Sequence, residues 1–261
     1  MTEVLVVERH GAVALVRMNR PEHTNAADAV LHRRLAEVWD EIAADSTIRC
    51  VVLTGAGKAF SAGGDFSLMV ATRNDPAVGH TVFEEARRTV MGMLNLPQPL
   101  VAAINGPAVG LGASLAALCD ISVAADTAFL SDPHLGVGLV PGDGAAMLWP
   151  LLIGLARAKE LVFLGERISA TKAMELGLVN EVVPQDKTVD TAMEIAQRLA
   201  AVPQRALQDT KRLMNAFPLR ALAGVLDQGI AAERHSVHSD EHGQMVQQMI
   251  DRAEARRHRT S

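Results

Sequence analysis

An α/β fold built on a largely parallel sheet is what the sequence predicts, and three observations predict it. Short, mainly β-branched or small apolar runs recur at 50–53, 100–104 and 121–125. The first two lead into glycine-rich turns, and each turn opens into a helical stretch. Strand, loop and helix thus alternate, as they do when parallel strands are joined by covering helices.

The elements follow in order. Residues 4–7 and 13–18 read as two strands around the turn at His10-Gly11, and Arg20-Pro21 ends the second. Across 27–44, Leu31, Leu35, Val38 and Ile42 fall on one helical stripe with charges opposite. A helix over 78–94 is stopped by Pro97 and Pro99; a strand (100–104), a helix (111–118) and a strand (121–125) come next. From Gly144 the pattern is mostly helical, with short helices at 145–153, 156–164 and 170–176, a last strand at 179–183, and a helix at 186–201. Pro203 stands at a helix start, where its missing N–H costs nothing. Helices over 203–215, 219–235 and 240–257 complete a tail whose Leu222, Val225, Leu226 and Ile230 need cover, from their own core or a neighbouring subunit.

With 261 residues, 49% of them hydrophobic, the chain suits one large domain, divided by pattern into an α/β core (1–200) and a helical region (201–261). A net charge of −5 offers no basic excess for nucleic acid, although Arg252, Arg256, Arg257 and Arg259 make a local basic strip. The start, Met1 to His10, has charges on both sides of a very short apolar segment and reads as a strand rather than a signal peptide. The uncharged run at 144–156 is too short to span a bilayer and contains Pro150, so no membrane association is expected. Cys50 and Cys119 lie beside apolar runs and read as reduced, buried thiols of a cytoplasmic protein.

Nearby motifs fail on spacing. A phosphate loop around Gly57-Lys58 would need a glycine where Val52 stands and a Ser or Thr where Ala59 stands. The glycines from 106 to 112 lack dinucleotide-fingerprint spacing. His235, His238 and His242 could share a helix face, but no cysteine or carboxylate cluster completes a metal site. No metal and no separate cofactor is expected.

The two glycine loops carry the chemistry. Residues 54–66 and 105–114 each concentrate glycine where the backbone turns, which allows positive φ and close approach to the main chain. Free N–H groups at such turns and helix starts bind developing negative charge. Two such loops on one sheet can aim two N–H groups at one oxygen, an oxyanion hole suited to a carbonyl or thioester.

In this order and context the loops resemble the crotonase (enoyl-CoA hydratase/isomerase) superfamily. The resemblance spans nearly the whole chain: Arg20-Pro21 with Asn25-Ala26, the run from Ala59 to Asp65, Asn105-Gly106, Cys119-Asp120, the run from Gly138 to Gly142, Gly177-Leu178-Val179 and the helical tail. It implies a spiral of β-β-α units, a C-terminal helical part that mediates trimers, and a homotrimer or dimer of trimers. It places the oxyanion hole at the N–H groups of Gly64 and Leu111, and acyl-CoA contacts at Glu22, His23, Thr24 and Ala62. Coenzyme A enters as part of the substrate.

The resemblance also exposes departures. Two lysines frequent in family hydratases are replaced by Glu22 and Ser67, leaving Arg20, Arg73 or C-terminal arginines of a neighbouring subunit for the CoA phosphates. The two water-activating glutamates of the hydratases fall at Ser114 and His134, so that carboxylate pair is absent. Ser114 stays among the substrate-binding positions but has no evident base to make it a nucleophile.

His134 and Asp143 remain as a polar pair. An imidazole near its ordinary pKa of about 6.5 suits a general base, with the aspartate on its other nitrogen. Some C–C bond hydrolases of the superfamily have a similar His/Asp pair. The plainer alternative is that Asp143 caps the helix near Ala145. Asp65 reads as the cap of a helix beginning near Phe66, while His23 and Glu85 either reach an acyl pocket or stay solvated. With 3% aromatic residues the pocket is expected to be aliphatic. The leading expectation is an acyl-CoA enzyme stabilising an enolate. Hydration, isomerisation and retro-Claisen hydrolysis stay open, as does an acyl-CoA binder without turnover or a structural oligomer.

Overall fold

The computed structural model describes residues 3–260. The chain opens with an antiparallel hairpin, β1 (Leu5–His10) and β2 (Val13–Met18), turned at Gly11 with φ 64°. Then follow α1 (Ala29–Ala44), β3 (Cys50–Gly55), α2 (Phe66–Asn74), α3 (Pro76–Asn95), β4 (Leu100–Ile104), β5 (Ala108–Val109), α4 (Leu111–Leu118), β6 (Ile121–Ala125) and β7 (Phe129–Ser131). A 3-10 turn at His134–Val137 leads to α5 (Ala145–Ile153), α6 (Leu155–Leu164), β8 (Ile168–Ser169), α7 (Ala170–Leu176), β9 (Glu181–Val183) and α8 (Thr188–Ala201). The tail is α9 (Gln204–Leu222), α10 (Val225–Val237) and α11 (Asp240–Thr260).

The main sheet has the order β1-β2-β3-β4-β6-β9 and is parallel from β2 onward. A small second sheet, β5-β7-β8, stands beside it. Alternating side chains on β3 feed two cores: Val51 and Leu53 face the α1 and α3 side with Leu35 and Trp39, while Cys50 and Val52 face Ala192 and Ala196 of α8. Burial on both faces explains why the central strands read as continuous apolar runs. Burial also pushes the Cys50 thiol up to about 12, and both cysteines are free.

The α/β spiral and the C-terminal helices match the expected fold. The three strands of the small sheet, two or three residues long, carry no periodicity to read. In the tail, the expected break near residues 216–218 does not occur. Pro218 removes one i→i−4 bond inside α9, whereas Gly224, at φ 78°, is the residue that turns the chain.

The tail folds back onto its own chain. Leu222, Leu226 and Ile230 are buried in the main core, and only Val225 of that stripe stays exposed. Lys211 of α9 is anchored in the interior, 2.7 Å from Asp120 Oδ2 and donating to the Gln98 carbonyl at 2.9 Å. Arg73 of α2 donates to the carbonyls of Val237 and Ser239, pinning the turn between α10 and α11. Replacing Lys211 by Met removes the ion pair with Asp120 and leaves the Gln98 carbonyl without its donor, and should destabilise the protein by about 1–3 kcal/mol, read from urea unfolding midpoints.

Candidate active site

Two asparagines hold the first glycine loop. Asn25, itself at φ 56°, donates through Nδ2 to the carbonyls of Ala56 and Ala59. Asn105 accepts from the Gly55 N–H and donates to the Gly57 and Ala59 carbonyls. The second loop is then bonded to the first: the N–H groups of Phe60 and Ser61 both donate to the Pro107 carbonyl, and Val109 N–H donates to the Ser61 carbonyl at 2.9 Å. Gly63 lies so close that a Cβ there would sit 2.9 Å from the Val109 carbonyl oxygen.

This bonding sets two N–H groups aside. Ala27 pairs with Gly64 as a parallel bridge, using the Gly63 carbonyl and the Asp65 N–H, so the Gly64 N–H points away from that pairing. Leu111 opens α4, and the Pro107 carbonyl that would accept from it in a longer helix is already taken by the first loop. Among the described residues neither N–H has a hydrogen-bond partner, and both residues line the same cavity. Asp65 caps α2 by accepting from the Ser67 N–H, as expected.

The cavity has a volume of about 470 Å³. Glu22, His23 and Thr24 stand exposed at its rim with Ala62 beside them, and all four line it. Its apolar wall includes Phe66, Leu68, Met69 and Phe83, with Val237 and Met249 from the tail. The lining is mainly aliphatic, as expected, with Phe66 and Phe83 as its two aromatic side chains.

A polar cluster stands against the second loop. A Cβ on Gly110 would lie 3.4 Å from His134 Cε1, which puts the imidazole beside Leu111. Its Nδ1 is 2.8 Å from Asp132 Oδ1, which also accepts from the His134 backbone N–H at 3.2 Å. The carboxylate that orients the ring is thus Asp132, two residues earlier, rather than Asp143; an Asx turn across Pro133 makes that pairing local. Asp143 comes within 4.8 Å of the ring without a hydrogen bond to it. Nor does it cap α5, whose N-cap is Gly144 with no side-chain bond.

Glu233, which sequence reasoning missed, arrives from α10. One ligand atom each from His134, Asp143 and Glu233 lies within 4.8 Å of the others, and Asp143 Oδ1 and Glu233 Oε2 are buried without partners. Among the described residues this is the one His, Cys, Asp and Glu cluster tight enough to share a cation. Burial depresses the imidazole, but the Asp132 bond and the charges of Asp132, Glu233 and Asp143 outweigh it and carry His134 up to about 9. Burial raises Asp143, against the pull of His134. Burial and repulsion from Asp143 hold Glu233 well above the carboxylate range. The Asp132 bond and the neighbouring carboxyls thus favour the imidazolium over the free base that the ordinary pKa suggested.

Other expected residues go elsewhere. Ser114 does not line the cavity; it is buried with its Oγ against Gly144, whose missing side chain makes room for it. Glu85 is neither solvated nor in the cavity, because His32 Nδ1 holds it at 2.7 Å. Arg20 is locked between Asp28 (3.2 Å) and Asp65 (3.1 Å), and Arg73 is spent on the tail turn, so neither is free for CoA phosphates. Arg256, Arg257 and Arg259 have side chains outside the described residues. His235, His238 and His242 are split between α10, its C-cap and α11, with His242 Nδ1 2.7 Å from the Val137 carbonyl oxygen.

An α/β spiral with two unpartnered amides facing a mainly apolar cavity suits the binding of an acyl group by its oxygen. The family model for enoyl-CoA hydratase/isomerase matches residues 8–258, and the chain belongs to that family. It is similar to a short-chain-enoyl-CoA hydratase of Clostridium acetobutylicum, 36% identical over 81% of this chain and 80% of that protein. Similarity to a 1,2-epoxyphenylacetyl-CoA isomerase of Escherichia coli is 35% over 87% of each. A crystal structure of an enoyl-CoA hydratase/isomerase from Mycobacterium paratuberculosis superposes with a TM-score of 0.92 at 42% identity, covering 95% of this chain and 99% of that one.

The cluster fixes a sign for pH dependence. The stability His134 lends is complete below its unfolded pKa of about 6.5 and is lost as pH rises through about 9. Asp143 and Glu233, also raised, act in the same direction, because the folded state binds more protons than the unfolded chain. Calorimetric Tm should therefore fall from pH 6.5 to 9. Asp132→Asn should move the His134 titration, followed by imidazole NMR, from about 9 down toward about 6.5.

Proposed function

We propose that this protein is an acyl-CoA enzyme working through a thioester enolate, with the Gly64 and Leu111 N–H groups on the thioester oxygen and Asp143 and His134 moving protons. The observation that carries this reading is the meeting of two unpartnered amides and an imidazolium at one end of one cavity. A buried carboxylate with raised proton affinity is a better base than an ordinary one, and an imidazolium beside it is the matching acid. Asp143 takes a proton from the carbon next to the thioester, the electron pair moves onto the oxygen, and the His134 N–H protonates a second carbon. That sequence is an isomerisation of the acyl chain. It needs no glutamate pair, which agrees with Ser114 and His134 at those positions.

C–C bond hydrolysis is the second reading, favoured by His134 and Asp143 sharing a cluster that could activate water beside the same amides. Product mass spectra from enoyl-CoA, 3-oxoacyl-CoA and β-diketone substrates separate the readings. Unchanged mass with altered absorbance means isomerisation, a gain of water without cleavage means hydration, and cleavage to an acid means hydrolysis. No conversion of any substrate sinks the enzymatic reading and leaves a binder.

The assembly is proposed as a trimer or a dimer of trimers. Leu213, Met214 and Phe217 of α9 and Leu155, Phe163 and Leu164 of α6 are exposed large apolar side chains that a neighbouring copy would cover. No described helix is long and apolar enough to cross a membrane, and the free, sequestered thiols support the proposed cytoplasmic location.

Two variants test the site and the assembly. Proline is tolerated at the first helical position and has no N–H, so Leu111→Pro should lower kcat by about 100-fold while Leu111→Ala, which keeps the amide, falls far less. Phe217→Glu on the exposed face should shift sedimentation to smaller species if α9 lies in the interface.

A further inference from the structure

The tail helix α10 is held against the loop that carries Asp143. Gly142 and Gly229 meet backbone to backbone, so that a methyl on either would strike the other's carbonyl oxygen. About two turns beyond Gly229, Ser236 Oγ accepts from the Val140 N–H at 3.1 Å and donates to the Glu233 carbonyl at 2.8 Å. Between these two ties lies Glu233, whose Oε2 would be 3.0 Å from a Cβ on Gly142. The contact therefore sets one carboxyl of the tail against the residue before Asp143, and Glu233 lines the cavity.

We infer that Glu233 is a further acid–base residue of this site, sharing one proton with Asp143 and returning it to His134 after each turnover. The inference rests on the enolate reading above. In that reading one cycle leaves Asp143 with an extra proton and His134 short of one. Resetting needs the Asp143 O–H to break and the His134 N–H to form, with no net gain or loss. Glu233 closes that circuit: it takes the Asp143 proton on one oxygen as its own proton passes to His134.

The surroundings leave the circuit to these groups. Asp132 from β7 and the following turn holds Nδ1 of His134, so Nε2 is the nitrogen free to be reprotonated. On α10 itself, Arg234 lies 5.3 Å over the Phe83 ring and Asp227 pairs with Arg87 of α3. Glu85 of α3 is held by His32 of α1, which lines the same cavity, and Arg73 of α2 is bonded to the tail turn and to Asp240 of α11. Burial raises the proton affinity of both carboxyls; repulsion from Asp132 adds to it at Asp143, and repulsion from Asp143 adds to it at Glu233.

The test is a carboxyl 13C NMR titration of the wild-type protein, with Asp143→Asn and Glu233→Gln for assignment. The expected result is two coupled steps, with Glu233 protonated through neutral pH and a single step remaining in Glu233→Gln. In steady state Glu233→Gln should lower kcat by about tenfold or more with KM within about twofold, since the return of the proton fails rather than binding. Gly229→Ala, which displaces α10 without removing a carboxyl, should collapse the coupling in the same way. Independent titration of both carboxyls in the ordinary range, or an Asp143 curve unmoved by Glu233→Gln, overturns the inference. Coupled steps in a protein that turns over no acyl thioester would uphold proton sharing and sink the enolate reading instead.

Discussion

The two glycine loops are bonded to each other before they bind anything else, and the site depends on that mutual bonding. Because Phe60 and Ser61 take the Pro107 carbonyl, the first N–H of α4 loses the one acceptor that could have satisfied it from within the chain. Because Ala27 bonds on either side of Gly64, the Gly64 N–H is turned to the opposite face. Leaving a buried donor unpaired costs about 1–3 kcal/mol, so such groups persist only where neighbouring bonds enforce them. Here the enforcement comes from backbone and two asparagines. Gly63 at φ 92° and Gly110 at φ 53° permit the close approach, and Gly110 also leaves room for the His134 ring.

The charge arrangement answers a different requirement. A buried imidazolium needs a fixed counter-charge, and Asp132 supplies it through an Asx turn that also fixes the ring's orientation. With Nδ1 occupied, the ring's remaining nitrogen is its only exchangeable one. Asp143 and Glu233 cannot both ionise cheaply at such separation, so the cluster regulates proton number more than charge. The environment thus drives the proton affinities of neighbouring groups away from their solution values, which is how one buried corner can hold an acid and a base together.

How much of this was legible in the sequence depends on whether the information was local. The glycine loops, the Asp65 cap, the start of α4 at Leu111 and the alternation of strands and helices are set within a few residues and were readable. The Asp132–His134 pairing is equally local, signalled by an aspartate two residues before an N–H, yet the more distant Asp143 drew the assignment. Arg20 and Arg73 looked free because their partners, Asp65 and the carbonyls of Val237 and Ser239, are far away in sequence. Glu233 carried no signal: it is one charged residue on an amphipathic helix, 90 positions from Asp143, and such residues ordinarily face solvent. Only the Gly142–Gly229 contact turns it inward.

That contact changes what the tail means. Apolar residues past position 200 could have been read as serving a neighbouring copy alone, and the exposed face of α9 still suits one. Yet α10 and α11 place Val237, Met249 and Glu233 on the cavity wall, while His242 bonds the Val137 carbonyl just behind His134. A cavity lacking those helices would be open to water, and water would screen the interactions that lift His134 and Glu233 from their ordinary values. Docking of the tail and proton affinity of the cluster are therefore one linked equilibrium. Whatever loosens α10 lowers the cluster's hold on its protons, and whatever strips those protons sets two like charges between α10 and the loop it rests on.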